Sequence, residues 1–194
     1  MLKLPLNYAM NNYIIAQSLV GELLIISKQL CCGANVITAL YPKTHSYFDE
    51  AMVEMKLGVE ISFEQSNNHV LLEAVAQLEQ YFLGKIKHIN LPFNLPLAPH
   101  GTDFQQLVWQ YLRHIPYGET LSYGDVATGI NQPKSVRAVA SAIAKNPISI
   151  IIPCHRVIRK SGAISGYAGG VAMKEWLLDF EGVGKYFSKR IKLN

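Results

Sequence analysis

Cysteine is scarce: the chain of 194 residues has three, and Cys31 and Cys32 are adjacent. An odd count, with no C-x-x-C pair and no H-x-x-x-H spacing, argues against a disulfide framework and an ordinary zinc site. The expectation is a reducing, cytoplasmic compartment, no metal and no cofactor, with Cys31 and Cys32 as two small buried residues. Long apolar runs are missing too, and no basic segment followed by an apolar stretch opens the chain. Neither a membrane span nor a secretory leader is therefore expected. Repeats and low-complexity tracts are absent. Charged residues make up only 16% against 49% hydrophobic, which describes a folded globular chain and excludes a disordered one.

What charge there is lies unevenly. Residues 1–84 carry 4 Lys and Arg against 8 Asp and Glu, a balance of −4, and residues 85–194 carry 14 against 6, a balance of +8. A basic half joined to an acidic one suggests that the second half meets a polyanion, nucleic acid first, with a merely solvated basic surface as the alternative.

The first half reads as mixed α and β. Residues 13–16, 23–26 and 36–40 have the composition of short strands, 48–57 is an ambiguous helical segment closed by Gly58, and 59–63 alternates like a strand. Residues 69–83 form a helix on the spacing of Leu71, Val75, Leu78 and Phe82, ended by Gly84. No catalytic constellation shows, so this half is expected to act as structural support. Pro92, Pro96 and Pro99 mark a linker.

The second half is mostly helical. Thr102 or Asp103 caps a helix with Phe104, Leu107, Val108, Tyr111 and Leu112 on one side, stopped by the Pro116-Tyr117-Gly118 turn. Ser122 and Asp125 form a capping box for a helix reaching about Ile130. After Asn131-Gln132, Pro133 suits the first position of a helix over 133–145. There Val136, Val139, Ala140 and Ile143 make a core face, and Lys134, Arg137, Ala138, Ser141 and Lys145 face the other way. Two short helices with a tight turn, the second showing basic and small residues outward, have the form of a helix-turn-helix. An ordinary solvated helix face fits the same pattern.

Ile150-Ile151-Ile152-Pro153-Cys154-His155-Arg156-Val157-Ile158 is the stretch the rest serves. β-branched residues suit a buried strand, and Pro153 stiffens the chain where it delivers the thiol. Two potentially cationic neighbours would favour a low-pKa, reactive cysteine; an inert buried cysteine is the other reading.

Taken in order, Gly101-Thr102-Asp103-Phe104-Gln105, Val108-Trp109, Ile115-Pro116-Tyr117-Gly118-Glu119-Thr120, Ser122-Tyr123, Arg137-Ala138-Val139, Asn146-Pro147, Ile152-Pro153-Cys154-His155-Arg156-Val157, Gly166-Tyr167-Ala168-Gly169-Gly170, Lys174-Glu175-Trp176-Leu177-Leu178 and Glu181-Gly182 resemble the O6-alkylguanine-DNA alkyltransferases, also called methylated-DNA–protein-cysteine methyltransferases, of the bacterial constitutive type. The resemblance is continuous from about Leu71 to Gly182 and thin before residue 65. It implies an α+β fold: a small ribonuclease-H-like α/β domain over 1–91, a linker over 92–100, and a helical domain with a winged helix-turn-helix over 101–194. It implies a monomer with no obligate protein partner, acting on double-stranded DNA that carries O6-alkylguanine or O4-alkylthymine.

The same resemblance implies roles. Cys154 accepts the alkyl group once, His155 acts on its proton through a water, Glu181 orients His155, and Asn146 ties the turn before the thiol. Arg137 fills the gap left by a flipped base, with Lys134, Ala138 and Ser141 beside it in the minor groove. Tyr123 stands near the target nucleotide and its phosphate. The carbonyls of Cys154 and Val157 accept from the guanine amine. Tyr167 and Ala168 wall the pocket; many relatives have serine where this chain has Ala168, so only a backbone donor toward O6 survives here. Lys174 lines the pocket, and Arg156 is a structural ion-pair partner.

Three rivals remain at this stage. A lesion-binding module without transfer would lack the cysteine. A cysteine hydrolase would leave the basic helix unexplained. A transcription regulator of this type would carry further N-terminal cysteines for metal.

Overall fold

The computed structural model describes residues 11–55, 59–60, 68–85 and 93–183. Strands β1 (Asn11–Ser18) and β2 (Gly21–Gln29) form an antiparallel hairpin running from Asn11 opposite Lys28 to Ser18 opposite Gly21. Gly21, at φ +92°, supplies the left-handed residue that so short a turn needs. β3 (Asn35–Pro42) pairs antiparallel with β2, and β4 (Val59–Glu60) pairs parallel with β1, so the sheet order is β3-β2-β1-β4. Leu57, Gly58, residues 61–63 of the expected strand and Pro92 lie outside the described residues.

The unbroken run Leu23-Leu24-Ile25-Ile26 follows from cover on both faces of the sheet. Leu23 and Ile25 join the core built on α2 (His69–Phe82), whereas Leu24 and Ile26 pack with Phe48 and Ala51 of α1 (Phe48–Met55). Alternate side chains of a strand face opposite ways, so each set meets its own helix. Asn68 caps α2 by accepting from Leu71 N at 3.3 Å, and the helix buries Leu71, Ala74, Val75, Leu78 and Tyr81. Phe82, read from its spacing as a core position, lies at the margin, and Tyr81 takes the interior.

The segment expected to be a linker is docked over its described part. Phe93 and Leu95 enter the main core, Ile37 N donates to Pro96 O at 2.8 Å, and Ala98 N donates to Ile37 O at 2.9 Å. Prolines kept it out of a regular ladder without keeping it out of the core. The same edge of β3 also takes the second half: Leu40 N donates to Pro147 O at 2.9 Å and accepts at its own carbonyl from Ser149 N at 3.0 Å. One buried cluster runs from Ile14 and Leu23 through Leu112 and Val139 to Cys154.

The second half comprises α3 (Asp103–Leu112), β5 (Leu121–Ser122), α4 (Tyr123–Gly129), α5 (Val136–Ala144), a 3-10 turn (Cys154–Arg156), β6 (Val157–Ile158) and α6 (Val171–Phe180). β5 and β6 pair in parallel. Full capping boxes open α3 at Thr102 with Gln105 and α4 at Ser122 with Asp125; the sequence suggests the second box, and for the first only a cap at Thr102 or Asp103. Trp109, not Leu107, is the buried anchor of α3, and its Nε1 donates to Ala142 O of α5 at 2.8 Å.

Three expectations are corrected. α5 starts at Val136, not at Pro133. Ser135 N donates to Gln132 O at 2.9 Å, so Pro133 serves as the second residue of a tight turn, a place its fixed φ suits equally well. Val136 is consequently exposed, and Ala142 is buried in its stead. Ile150-Ile151-Ile152 is a turn and not a strand. Asn146 Oδ1 accepts from Ile148 N at 3.0 Å and Asn146 Nδ2 donates to Ile152 O at 2.9 Å, which supplies the partners a ladder would have provided. Ile150 sits at φ +68°, a strained setting for a β-branched residue, held by complete burial. Lastly, Cys31 and Cys32 are exposed, on the tight loop where Leu30 N donates to Ala34 O at 2.8 Å; a hairpin tip projects from the core whatever its side chains.

Trp109→Ala leaves a large void and an empty acceptor between α3 and α5. It is expected to cost about 3–5 kcal/mol in urea unfolding monitored by circular dichroism.

Candidate active site

The 3-10 turn that replaces the expected strand end decides how the thiol is presented. Cys154 is 5% exposed, and its Sγ accepts from Asn146 Nδ2 at 3.0 Å. Asn146 therefore binds the turn's backbone and the sulfur with one amide. It stands two residues beyond α5, which ties the thiol to the end of the basic helix. Burial pushes the Cys154 thiol up, against the pull of Asn146 and of the Lys174 charge. The low-pKa thiol expected from its cationic neighbours is thus overturned, because neither neighbour spends its charge on the sulfur.

Arg156 turns away. Its Nε donates to Glu181 Oε2 and its Nη2 to Glu181 Oε1, both at 2.9 Å, while Nη1 donates to Ile115 O at 2.6 Å. His155 Nε2 lies 2.9 Å from Glu181 Oε1. Since a carboxylate paired with arginine is an acceptor only, Nε2 carries the proton and Nδ1 is left as the basic nitrogen. That Nδ1 is buried with no hydrogen-bond partner among the described residues. Burial lowers the His155 pKa and outweighs the opposing pull of Glu181, so the ring is neutral.

Glu181 is the hub. Beyond His155 and Arg156 it accepts from Tyr81 OH at 2.7 Å and from Gly118 N at 3.3 Å. Burial alone would raise its carboxyl, but His155 and Arg156 hold it far below the usual carboxylate range.

On the other side of the thiol, Lys174 is 1% exposed, and its Nζ donates to Val157 O at 2.6 Å and to Ser165 Oγ at 3.4 Å. Burial brings its pKa down to about 8, with Cys154 pulling the other way. Tyr123 OH and Ser165 Oγ are 2.5 Å apart, so Lys174, Ser165 and Tyr123 form one connected path. Tyr167 turns a buried hydroxyl toward the thiol without closing a hydrogen bond. Ala168 is half-buried on the same turn.

The structure thus brings Asn146 and Tyr167 to Cys154, ties His155, directly behind Cys154 in the chain, to Glu181, and links Val157 to Tyr123 through Lys174 and Ser165. Lys134, Arg137, Ala138 and Ser141 do not join them; all four are exposed along or just before α5. Tyr81 and Ser165 were missed from sequence. Tyr81 could have been found as the i+3 neighbour of Leu78 on a buried face, while nothing local marks Ser165. Among the described residues no group of three His, Cys, Asp or Glu could hold a metal ion.

Because the Glu181 carboxyl lies below its ordinary value of 4.5 when folded, its stabilisation is present above that pH and is lost as the pH falls. Glu181→Gln strands a buried guanidinium and is expected to cost about 3–5 kcal/mol at pH 7. In urea titrations across pH, the gap between variant and parent should narrow below about pH 4.5.

Residues 103–183 match the family model described as 6-O-methylguanine DNA methyltransferase, DNA binding domain. The constitutive methylated-DNA–protein-cysteine methyltransferase of Bacillus subtilis (strain 168) is 42% identical over 173 residues, 89% of this chain and 96% of the relative. A methylated-DNA–protein-cysteine methyltransferase of Methanosarcina acetivorans is 51% identical over 116 residues, 60% of this chain and 72% of that one. Among solved structures, the Mycobacterium tuberculosis O6-methylguanine methyltransferase matches with a TM-score of 0.72 at 37% identity, over 89% of this chain and 93% of that one. A crystal structure of Mycobacterium tuberculosis OGT in complex with DNA matches with a TM-score of 0.71 at 35% identity, over 91% of this chain and 99% of that one. With a relative of that identity matched over almost its whole length, the chain belongs to the methylated-DNA–protein-cysteine methyltransferase family.

Proposed function

We propose that the protein repairs DNA by moving a methyl or other alkyl group from O6 of guanine, and from O4 of thymine, onto Cys154 Sγ. The carrying observation is the buried thiol followed in the chain by a buried imidazole whose one basic nitrogen has no hydrogen-bond partner among the described residues, with Glu181 fixing the ring. Nucleophile, base and orienter are then Cys154, His155 and Glu181, with a water as the relay between Sγ and Nδ1. In the transfer the thiol proton passes through that water to His155 Nδ1, the S–C bond forms, and the C–O6 bond breaks. The guanine leaves as an anion and takes a proton from Tyr123, which Lys174 can replace through Ser165. A thioether is a poor leaving group, so each molecule acts once.

Recognition follows from the same residues. The cost of extruding a nucleotide is about a few kcal/mol and is least for a badly paired base. Arg137 fills the vacated stack, and Ala138 and Ser141 are small enough to let α5 lie against the minor groove with Lys134 on the phosphates. Cys154 O and Val157 O each already accept one hydrogen bond, from Val157 N and Lys174 Nζ, and each offers its second lone pair to the guanine amine. Tyr167 and Ala168 close the pocket. The likeness to the Mycobacterium tuberculosis protein solved with DNA supports DNA as the partner; the reading takes that DNA as double-stranded and the protein as a monomer. The domain scheme fits this division of labour: a ribonuclease-H-like unit over 1–91, a connector over 92–100, and a winged helix-turn-helix unit over 101–194.

Incubation with a duplex containing O6-methylguanine should add one methyl to the intact mass, saturating at one per chain and absent in Cys154→Ala. Binding without a mass gain would reduce the protein to a lesion-recognition module. Arg137→Ala should slow repair in duplex DNA by about tenfold or more, in keeping with the cost of flipping, and leave the reaction with free O6-benzylguanine nearly unchanged. Equal losses on both substrates would remove Arg137 from the flipping step.

A further inference from the structure

The turn over residues 167–170, which brings Tyr167 to the thiol, is fastened mainly from outside its own half. Within the turn, Gly170 N donates to Tyr167 O at 2.9 Å. Its two middle carbonyls are bound by the loop after β3: Ser46 N donates to Ala168 O at 3.1 Å, and Thr44 Oγ1 donates to Gly169 O at 2.7 Å. Thr44 Oγ1 also stands 3.6 Å from Met173 Sδ. The Thr44–Gly169 bond joins positions 125 residues apart, and no local pattern in the sequence announces it.

The loop that grips is itself stiff. Lys43 N donates to Glu22 O at 2.9 Å, and His45, only 3% exposed, is wedged with its ring 4.8 Å from Tyr41 and 5.4 Å from Tyr47. His45 Nδ1 accepts from Tyr47 N at 3.1 Å, and burial lowers the ring's pKa to about 4, so it stays neutral at working pH. The part that is gripped transmits movement. Gly169 is buried, and a Cβ there would come within 2.8 Å of the Tyr167 ring and 2.9 Å of Met173 Sδ. A shift of Gly169 therefore moves Tyr167, and with it the space above Cys154.

We infer that Thr44 is a positioning residue that limits the size of the alkyl group the site accepts, by fastening the Ala168–Gly169 wall to the sheet of the first half. This rests on the alkyl-transfer reading above. A methyl group needs no retreat of the wall, whereas an aryl-bearing group must push against it. Thr44 is exposed apart from this contact, so its replacement leaves the core alone.

The test compares second-order rate constants for O6-methylguanine and O6-benzylguanine in the same duplex. Thr44→Val, which keeps the shape and removes the donor, should raise the benzyl-to-methyl ratio about fivefold, the scale of one hydrogen bond. Methyl transfer should be unchanged, and Thr44→Ser should keep the parent ratio. Thr44→Ala makes the same measurement if valine is not accommodated. An unchanged ratio, or an equal fall on both lesions, would reduce the contact to ordinary structural support and overturn the inference. A parent protein that accepts neither group would instead defeat the alkyl-transfer reading itself.

Discussion

A carboxylate with no exposed surface must find its donors inside the protein, and Glu181 draws them from three separate places. Tyr81 comes from α2, Gly118 from the turn after α3, and His155 and Arg156 from the 3-10 turn. Buried ion pairs stabilise little against apolar packing, yet losing one partner is costly, so such a knot specifies geometry more than it adds stability. Here it fixes the tautomer and direction of His155. It also consumes the whole of the Arg156 charge, which is why a cysteine followed by histidine and arginine is not an acidified thiol.

That arrangement sets the character of the nucleophile. A thiol that is neutral, buried and hydrogen-bonded by Asn146 resists oxidation, which requires thiolate and access. A protein that acts once per molecule gains from keeping its sulfur unreactive until a lesion arrives beside it. Cys31 and Cys32, on an exposed hairpin tip, have no such protection. On the proposed reading, reactivity depends on proton removal at the moment of transfer, for which a neutral His155 whose Nδ1 has no partner among the described residues is better suited than an imidazolium would be.

What the sequence made legible was local. The cap at Thr102 and the box of Ser122 with Asp125 act within one helical turn, and the exposed face of α5 follows from its period. What it hid was set at a distance. β-branched residues at 150–152 argued for a strand, but the Asn146 side chain had already taken the backbone groups a ladder needs. Pro133 fits a helix start and a tight turn equally well, and only the Gln132–Ser135 bond decides between them. The thiol, histidine and glutamate were named through family likeness, and their meeting is visible only in three dimensions, since His155 and Glu181 are 26 residues apart. Ser165 and Thr44 bear no mark in the sequence, and Tyr81 shows there only as one more residue of a buried helix face, because each matters through contact with another part of the chain.

The first half, which offered no catalytic constellation, is more than a support. The open edge of β3 must be covered, as any sheet edge must be, and it is covered by two segments of the site-bearing half, at Leu97 and at Ile148. The bond from Ser149 N to Leu40 O places the turn that carries Cys154 from outside, while Asn146 holds it from within. Ile150 can keep its strained φ because both ends of that turn are pinned. Tyr81 reaches Glu181 from the same half, and the loop after β3 grips the wall beside Tyr167. The sheet therefore works as the fixed frame against which Cys154, His155 and the turn beside Tyr167 are all held, so on the proposed reading a lesion meets a site already assembled.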